Sequence, residues 1–361
     1  MSVNRFWIFY ADYPPLRNKK HAPFTELEGK TMFKFVATAL FAASIAVAYV
    51  TPAVAEEPIV IKFSHVVTDD TPKGKGARLF QKLVQERLAG KVKIEVYPNS
   101  TLYGDADELD ALQRNEVQML APSVSKFDQY TKQLEIFDMP FLFDDLEAVK
   151  RFEKRDKSRE LLGSMAGQGI YGLAFWNNGM KQFSANRELR KPADAHGLAF
   201  RIQASTLLED QFKQIGASAL KLPFSQSFKA LQSGQVQGTE NTWSNLYSQK
   251  LNTVQPYITE SNHGVLVYML ITNSKFWNSL PFGVRTQLEQ ISDEVTQFVN
   301  KEAEAINNKD RDNILGSGTS KLVTLTPSER QAWREAMQPL VKKYEPEIGA
   351  DVIRAAQLVN R

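Results

Sequence analysis

From Glu56 onward, short apolar runs rich in β-branched residues alternate with longer amphipathic segments. The run 92–96 alternates apolar with charged residues, which is the period of a half-buried strand. Thr71 followed by Pro72 is typical of a helix start, because threonine caps a helix and proline fits its first turn. In this first half the pattern predicts strands over 59–64, 92–96 and 117–121, and helices over 72–88 and 107–115.

The second half of the chain repeats this alternation. Thr206 and Glu209 predict a capping box for a helix that ends at Gly216, and Ser225 is predicted to cap a helix that ends at Gly234. Strands that alternate with helices are typical of α/β folds. The pattern predicts strands over 170–176, 198–203, 220–224 and from 236, and helices over 281–308 and 327–361.

The length of the chain favours about two domains, at roughly 150 residues per domain. No low-complexity tract or long flexible linker separates the two halves. We therefore expect several structured crossings between the domains and a ligand cleft between them.

The N-terminal segment has the features of an export signal. Met32 and Lys34 precede an uncharged apolar run over 35–50, which is short for a membrane span, and Ala53 and Ala55 form a small-x-small cleavage pattern. The segment 32–55 is therefore predicted to be a Sec signal peptide cleaved after Ala55, with residues 1–31 as an upstream extension. A retained N-terminal anchor is the alternative.

The charge balance changes once this segment is set apart. Residues 1–55 hold six of the 44 Lys and Arg residues and three of the 41 Asp and Glu residues. This leaves 38 charges of each sign in a formally neutral mature chain. A neutral chain gives no support for nucleic-acid binding. The absence of cysteine excludes disulfides and thiol chemistry, and the four histidines lack zinc-ligand spacing, so we predict neither a metal nor a cofactor.

Arg201 is the sharpest candidate for ligand binding. In the predicted strand 198–203, Leu198, Phe200 and Ile202 face one way, whereas Arg201 faces the other way near the strand's end. Ligands of open α/β sheets bind beyond the carboxyl ends of the strands, and a guanidinium matches a carboxylate with two parallel hydrogen bonds. An ordinary surface salt bridge is the alternative.

Other candidates are less specific. Lys181 brings a second cation to the cleft or is a solvated loop lysine, and Asn241 donates to a ligand or caps the following helix. Phe224 forms the floor of a pocket or packs in the core. Lys73 lies at a helix start that favours anions, although most helix starts bind no ligand.

Signals for catalysis are weaker still. No nucleophile elbow surrounds any serine, and no glycine-rich phosphate loop is present. His65, His196 and His263 therefore have no recognisable nucleophile to activate. An exported α/β protein without a catalytic constellation is predicted to be a binding protein and not an enzyme.

Five ordered motifs carry a resemblance to a known family. From Ile59 to the C-terminus the chain resembles the solute-binding protein of a tripartite ATP-independent periplasmic (TRAP) transporter, in its C4-dicarboxylate-binding branch. The motifs are KFSHVV at 62–67 with TPKGK at 71–75, FDMPFLF at 137–143, WNNGMKQ at 176–182, GLAFRI at 197–202, and LPFS at 222–225 running to QGTEN at 237–241.

The resemblance implies roles for individual residues. An arginine at the position of Arg201 pairs with the ligand carboxylate, the position of Asn241 hydrogen-bonds the same group, and that of Phe224 lies against the ligand. Lys181 stands where sialic-acid-binding members carry a second arginine, so the cation is kept but its bidentate geometry is lost. The remaining candidates are first-domain residues placed to hold a distal carboxylate, and one residue of the Asn241 turn: Lys73, His65, Ser123 and Trp243.

The resemblance also implies an architecture and a mechanism. We expect two α/β lobes, formed by 56–178 with 267–306 and by 179–266 with 307–361, with a long C-terminal helix that spans both. The lobes close by hinge motion around succinate, malate or fumarate. A periplasmic monomer then delivers the ligand to the small and large membrane subunits of a permease. Alternatives are a receptor for a sugar, keto or aromatic acid, a periplasmic enzyme on the same scaffold, and an added sensory role.

Overall fold

A single mixed sheet organises the computed structural model, which describes residues 57–360; the predicted signal peptide and extension lie outside these residues. The strand order is β2-β1-β3-β8-β4-β7-β5-β6, and β9 pairs with β8. The strands are β1 (Ile59–Ser64), β2 (Val92–Tyr97), β3 (Met119–Leu120), β4 (Ile170–Ala185), β5 (Ala199–Ile202), β6 (Ser218–Lys221), β7 (Gly238–Asn241), β8 (Tyr257–Asn273) and β9 (Lys321–Thr324).

Helices cover the sheet and connect its parallel strands. They are α1 (Pro72–Arg87), α2 (Glu108–Gln113), α3 (Leu146–Glu153), α4 (Asp156–Leu162), α5 (Thr206–Gln214), α6 (Ser227–Gln232), α7 (Trp243–Ser248), α8 (Ser274–Ser279), α9 (Phe282–Ser317), α10 (Pro327–Met337), α11 (Pro339–Ile348) and α12 (Ala350–Gln357). None of these helices in the described part of the chain combines the length and apolar character that a membrane crossing needs.

Two long antiparallel strands join the two ends of the sheet. β4 has 16 residues and β8 has 17, and they pair over most of their length. On one side of this pair lie β1, β2 and β3, and on the other lie β5, β6 and β7. The predicted strand 170–176 covers only the first part of β4. The sequence pattern did not single out β8, because its long apolar stretch fits a buried helix as well as a buried strand.

The long helix α9 lies along both halves. Its residues from Val284 to Val299 pack in the cluster that contains Phe63, Phe80 and Trp176, whereas Ile314 packs in a separate cluster around Trp243. One helix of 36 residues therefore contributes to the core on both sides of the β4–β8 pair. This confirms the predicted α/β fold with a long helix that spans both parts.

Several predicted helix ends are wrong in detail. The cap of α5 is Ser205, whose hydroxyl accepts a hydrogen bond from Leu208 N at 3.2 Å, and not the Thr206–Glu209 box. Ser225 lies within the 3₁₀ turn Phe224–Gln226 and does not cap α6. The predicted helix 327–361 is three helices, because Pro339 begins a new one and Gly349 adopts φ +102° before the last.

Gly179 is a predicted weak point for substitution, because it occupies a break in register between β4 and β8. Its φ is +151°, and an added Cβ would lie 2.8 Å from Asn307 Nδ2 of α9. Asn307 Oδ1 in turn accepts a hydrogen bond from Ser244 N at 3.0 Å. We expect Gly179→Ala to lower the free energy of unfolding by about 1 to 3 kcal/mol, measured by urea denaturation.

Gly283→Ala is the matched control for this measurement. Gly283 lies exposed in the first turn of α9, and an added Cβ there meets no atom within 4 Å. Alanine has the higher helix propensity, so this variant should be at least as stable as the parent protein. Equal stability of the two variants would contradict the role assigned to Gly179.

Candidate ligand-binding cavity

A small cavity, with about 310 Å³ of atom-free space, lies where the carboxyl ends of several strands meet. The loops after β1 and β3 contribute to it from one half of the sheet, and the ends of β5 and β7 contribute from the other. This is the position expected for ligands of open α/β sheets. The lining residues are Val66, Val67, Lys73, Asp105, Ser123, Lys126, Arg201, Gln203, Phe224, Asn241, Asn245, Leu266 and Tyr268.

Arg201 is held in this cavity by its own strand and by a single backbone contact. The side chain is only 2% exposed, and its Nε donates to Leu222 O at 2.9 Å. Its guanidinium lies 5.6 Å from the ring centroid of Phe224. Among the described residues, neither Nη atom of Arg201 has a protein acceptor. The terminal part of the guanidinium therefore remains able to donate hydrogen bonds to an anion.

Asn241 ends β7 beside this arginine. Its Oδ1 accepts hydrogen bonds from Thr242 N at 3.0 Å and from Asn245 Nδ2 at 2.9 Å, so the oxygen is already satisfied. Asn245 Nδ2 also donates to the hydroxyl of Tyr268 at 3.2 Å. These contacts orient the side-chain amide of Asn241, and its NH₂ group is the part that can donate a hydrogen bond to a ligand. The orientation suits an oxygen-rich ligand.

A buried ion cluster forms the first-half wall of the cavity. Lys126 pairs with both Asp105 and Glu108, and Asp105 Oδ2 also accepts a hydrogen bond from Phe224 N at 2.6 Å. Burial alone would raise the pKa of Asp105, but Lys126 and the hydrogen bond from Phe224 hold it well below its usual range. Burial raises the pKa of Glu108. The wall thus keeps one firmly ionised carboxylate beside the cations.

Lys73 and Ser123 also line the cavity. Lys73 is 1% exposed, its Nζ donates to Ala121 O at 2.9 Å, and it lies 3.7 Å from the ring centroid of Tyr268. The hydroxyl of Ser123 caps the following turn through Ser125 N and contacts the Ser125 hydroxyl at 3.1 Å. Lys73 lies in the first turn of α1 and Ser123 in the loop after β3, both on the far side of the β4–β8 pair from Arg201.

Lys181 and His65, two predicted site residues, lie outside the cavity lining. Lys181 is buried and pairs with Glu240 at 2.7 Å, and Glu240 also contacts His263 Nε2 at 2.8 Å. Burial would raise the pKa of Glu240, but Lys181 and His263 lower it to about 2. His65 is fully enclosed with its ring 6.2 Å from Phe63, and burial lowers its pKa to about 3.

Trp243, a third predicted residue, faces a different groove. Its ring centroid lies 5.8 Å from the guanidinium carbon of Arg311, and both side chains line a groove beside α9 with Gly179 and Asn307. The structure therefore brings together Arg201, Asn241 and Phe224 with Lys73 and Ser123, but it does not place Lys181, His65 or Trp243 among the residues that line the cavity.

Comparison with known proteins shows the family of the chain. The model of the bacterial extracellular solute-binding protein family 7 matches residues 63–347. The chain belongs to this family. A C4-dicarboxylate-binding periplasmic protein of Shewanella loihica is 50% identical over 303 residues, which cover 84% of this chain and 90% of that protein. The family resemblance stated from the motifs is confirmed.

Solved structures extend the family assignment to the fold. A TRAP periplasmic solute-binding protein from Pseudomonas aeruginosa, with bound L-malate, is 67% identical with a TM-score of 0.79, and the match covers 80% of this chain and 100% of that one. One from Shewanella oneidensis, with bound succinate, is 51% identical with a TM-score of 0.83, covering 84% and 100%. The family 7 chain described here thus has the fold of a TRAP solute-binding protein.

Some lining residues were missed from the sequence. Asn245 follows Asn241 by one helical turn, and this i, i+4 spacing was a usable signal. Asp105 and Lys126 look like exposed charges in the sequence. They are 21 residues apart, and only the folded chain brings them into an ion pair. Tyr268 lies in β8, the strand that the pattern did not single out.

Proposed function

We propose that this protein is a periplasmic receptor that binds a C4-dicarboxylate, with malate, succinate and fumarate as candidate ligands. The observation that carries the proposal is the pair of walls with basic side chains: Arg201 with Asn241 on one side of the β4–β8 pair, and Lys73 on the other. A ligand with a carboxylate at each end can satisfy both walls at once. Related proteins crystallised with L-malate and succinate support this assignment.

The charge of the cavity supports a dianionic ligand. Its lining includes three basic side chains, Arg201, Lys73 and Lys126, and one carboxylate, Asp105. Charge-assisted hydrogen bonds from such buried donors are stronger than neutral ones, because little water competes for them. A monocarboxylate leaves one wall without a partner, so we expect it to bind more weakly.

Contacts across the cavity support binding by closure of the two proposed lobes. Asp105 accepts the hydrogen bond from Phe224 N, and Asp128 Oδ2 accepts hydrogen bonds from Thr206 N at 3.1 Å and Thr206 Oγ1 at 2.5 Å. Each contact joins 56–178 to 179–266. In this proposal the crossings lie in β4 near Asn177 and in β8 near Val267, and a ligand that touches both sides favours the closed state.

The wider role follows from the family. We propose that a Sec signal cleaved after Ala55 exports the protein, that it acts as a monomer and not as an enzyme, and that its closed form delivers the ligand to the small and large membrane subunits of a TRAP permease. The lobes of this proposal are 56–178 with 267–306 and 179–266 with 307–361.

A thermal-shift panel tests the choice of ligand. A ligand present at 100 times its Kd stabilises the folded state by about 2.7 kcal/mol, which is readily measured as a rise in Tm. We expect malate, succinate or fumarate to raise the Tm, whereas propionate, which has one carboxylate on a similar chain, should leave it nearly unchanged. Stabilisation by a sugar, keto or aromatic acid without any response to these dicarboxylates would favour the alternative receptor.

A further inference from the structure

The surroundings of Lys73 differ from those of the other lysine in the cavity. Lys126 pairs with Asp105 and Glu108, whereas Lys73 makes no ion pair with any carboxylate among residues 57–360. Its Nζ contacts a backbone oxygen, Ala121 O, and the face of Tyr268. A buried ammonium with only neutral partners is strongly penalised by the loss of water.

The neighbouring charges do not remove this penalty. Glu108 and Asp105 attract a proton to Lys73, but both already pair with Lys126, whose own charge repels it. Burial is the main cause that lowers the pKa of Lys73 to about 7. The titratable or charged groups that face it from the surrounding elements are His65, Asp105, Glu108, Lys126, Arg201 and Tyr268.

The two direct contacts of Lys73 Nζ come from its own side of the cavity. Ala121 follows β3 and Tyr268 lies in β8, and both belong with Lys73 to the proposed lobe formed by 56–178 and 267–306. Opening of the lobes therefore leaves both neutral contacts in place. In the open state, as in the closed one, neither of these two contacts supplies an anionic partner.

We propose that Lys73 takes up a proton when a dicarboxylate enters the cavity, so that the protein binds the dianion together with a proton. This inference rests on the proposed function, because the ligand carboxylate supplies the anionic partner that Lys73 lacks. The proton moves from solvent to the neutral Nζ, and no other bond changes. Lys73 thereby favours ligands with a second carboxylate over those without one.

The expected pH dependence follows from the sign of this linkage. Below the pKa of Lys73 the lysine is already charged, so ligand binding takes up only a small fraction of a proton. At a pH one unit above a pKa of about 7, about nine-tenths of the lysine is neutral, so binding takes up nearly one proton. The affinity for the dianion therefore falls as pH rises above 7, by a factor that approaches about tenfold per unit.

Calorimetry with succinate at pH 8 tests the inference, with the exported protein titrated in Tris and in HEPES, which differ in ionisation enthalpy. We expect an uptake of about 0.9 proton per succinate for the parent protein and none for Lys73→Gln. Glu153→Gln is the matched control: burial raises the pKa of Glu153 to about 8, but Glu153 lies in another groove, so this variant should retain the uptake.

A spectroscopic measurement covers the case in which Lys73→Gln binds too weakly to titrate. In the parent protein, the ¹³Cε resonance of Lys73 should titrate near pH 7 without succinate and remain at its protonated position through pH 8 with it. Succinate binding without proton uptake, or equal uptake by Lys73→Gln, would overturn the inference. A failure of succinate to bind at any pH would instead reject the proposed function itself.

Discussion

Replacing Arg201 with lysine is expected to weaken succinate or malate binding by about 1.5 to 3 kcal/mol, roughly 10- to 150-fold. Lysine keeps the positive charge but cannot present two parallel donors to one carboxylate. It also loses the hydrogen bond from Arg201 Nε to Leu222 O, which orients the side chain. Isothermal titration calorimetry of both proteins at the same salt concentration measures the change.

Arg311→Lys serves as the matched control for this experiment. Arg311 also lies near an aromatic ring, that of Trp243, but it lines the groove beside α9 and not the cavity. Its replacement should leave the affinity unchanged. Circular dichroism and urea denaturation establish that Arg201→Lys is folded. An unchanged affinity in a folded Arg201→Lys protein would show that this guanidinium is not the carboxylate partner.

Replacing Lys181 with methionine is expected to lower the free energy of unfolding by about 3 to 5 kcal/mol. The substitution leaves Glu240 buried without its main partner, from which Lys181 Nζ lies 2.7 Å. Urea denaturation at neutral pH measures the loss. Because Lys181 does not line the cavity, we expect the dicarboxylate affinity of the folded variant to change much less than that of Arg201→Lys.

The pH dependence of this effect has a definite sign. Since the folded state holds the pKa of Glu240 near 2, below the usual value of 4.5, the ion pair stabilises the protein fully above pH 4.5. This contribution disappears as pH falls toward 2. The stability difference between the parent protein and Lys181→Met should therefore be largest near neutral pH and decrease in acid.

A double variant distinguishes the effect of the unpaired carboxylate from the effect of losing the lysine side chain. In Lys181→Met combined with Glu240→Gln, the unpaired charge is gone, and the amide can still hydrogen-bond His263, which now contacts Glu240 at 2.8 Å. Much of the lost stability should return, because the main penalty is the uncompensated carboxylate. If Lys181→Met is instead fully stable but loses the ligand, the direct ligand contact predicted from the family is the better explanation.

Local pattern was sufficient where an element depends on its own residues. The helix α1 begins at Pro72 with Thr71 as its cap, as predicted, because the Thr71 hydroxyl accepts from Gly74 N within the same turn. The strand β1 has the predicted bounds. The predicted cap of α5 was wrong because the adjacent Ser205 and Thr206 are chemically similar candidates, and the surrounding fold chooses between them. The predicted cap of α6 was wrong because a 3₁₀ turn precedes the helix, and Gln226 occupies the cap position without a side-chain hydrogen bond.

The same limit applies to the candidate site. Arg201 was recognisable because it faces away from the apolar side of a strand near its end, and the structure places it in the cavity. Lys181 has an equally suggestive position in the sequence, but its partner Glu240 is 59 residues away on β7. Whether a buried lysine faces a ligand or a carboxylate depends on strand pairing, which local pattern does not report.

The amino-acid sequence was enough to predict the alternation of strands and helices and the family, and to single out Arg201 as the first candidate for anion binding. These depend on short-range periodicity and on ordered motifs. The folded chain was needed to show which basic side chains share the cavity, that Lys126 pairs with the nearby carboxylates while Lys73 has none, and that Lys181 pairs with Glu240. The physical reason is that burial and ion pairing arise between residues far apart in the chain, so the charge of a side chain and its availability to a ligand are properties of the folded neighbourhood.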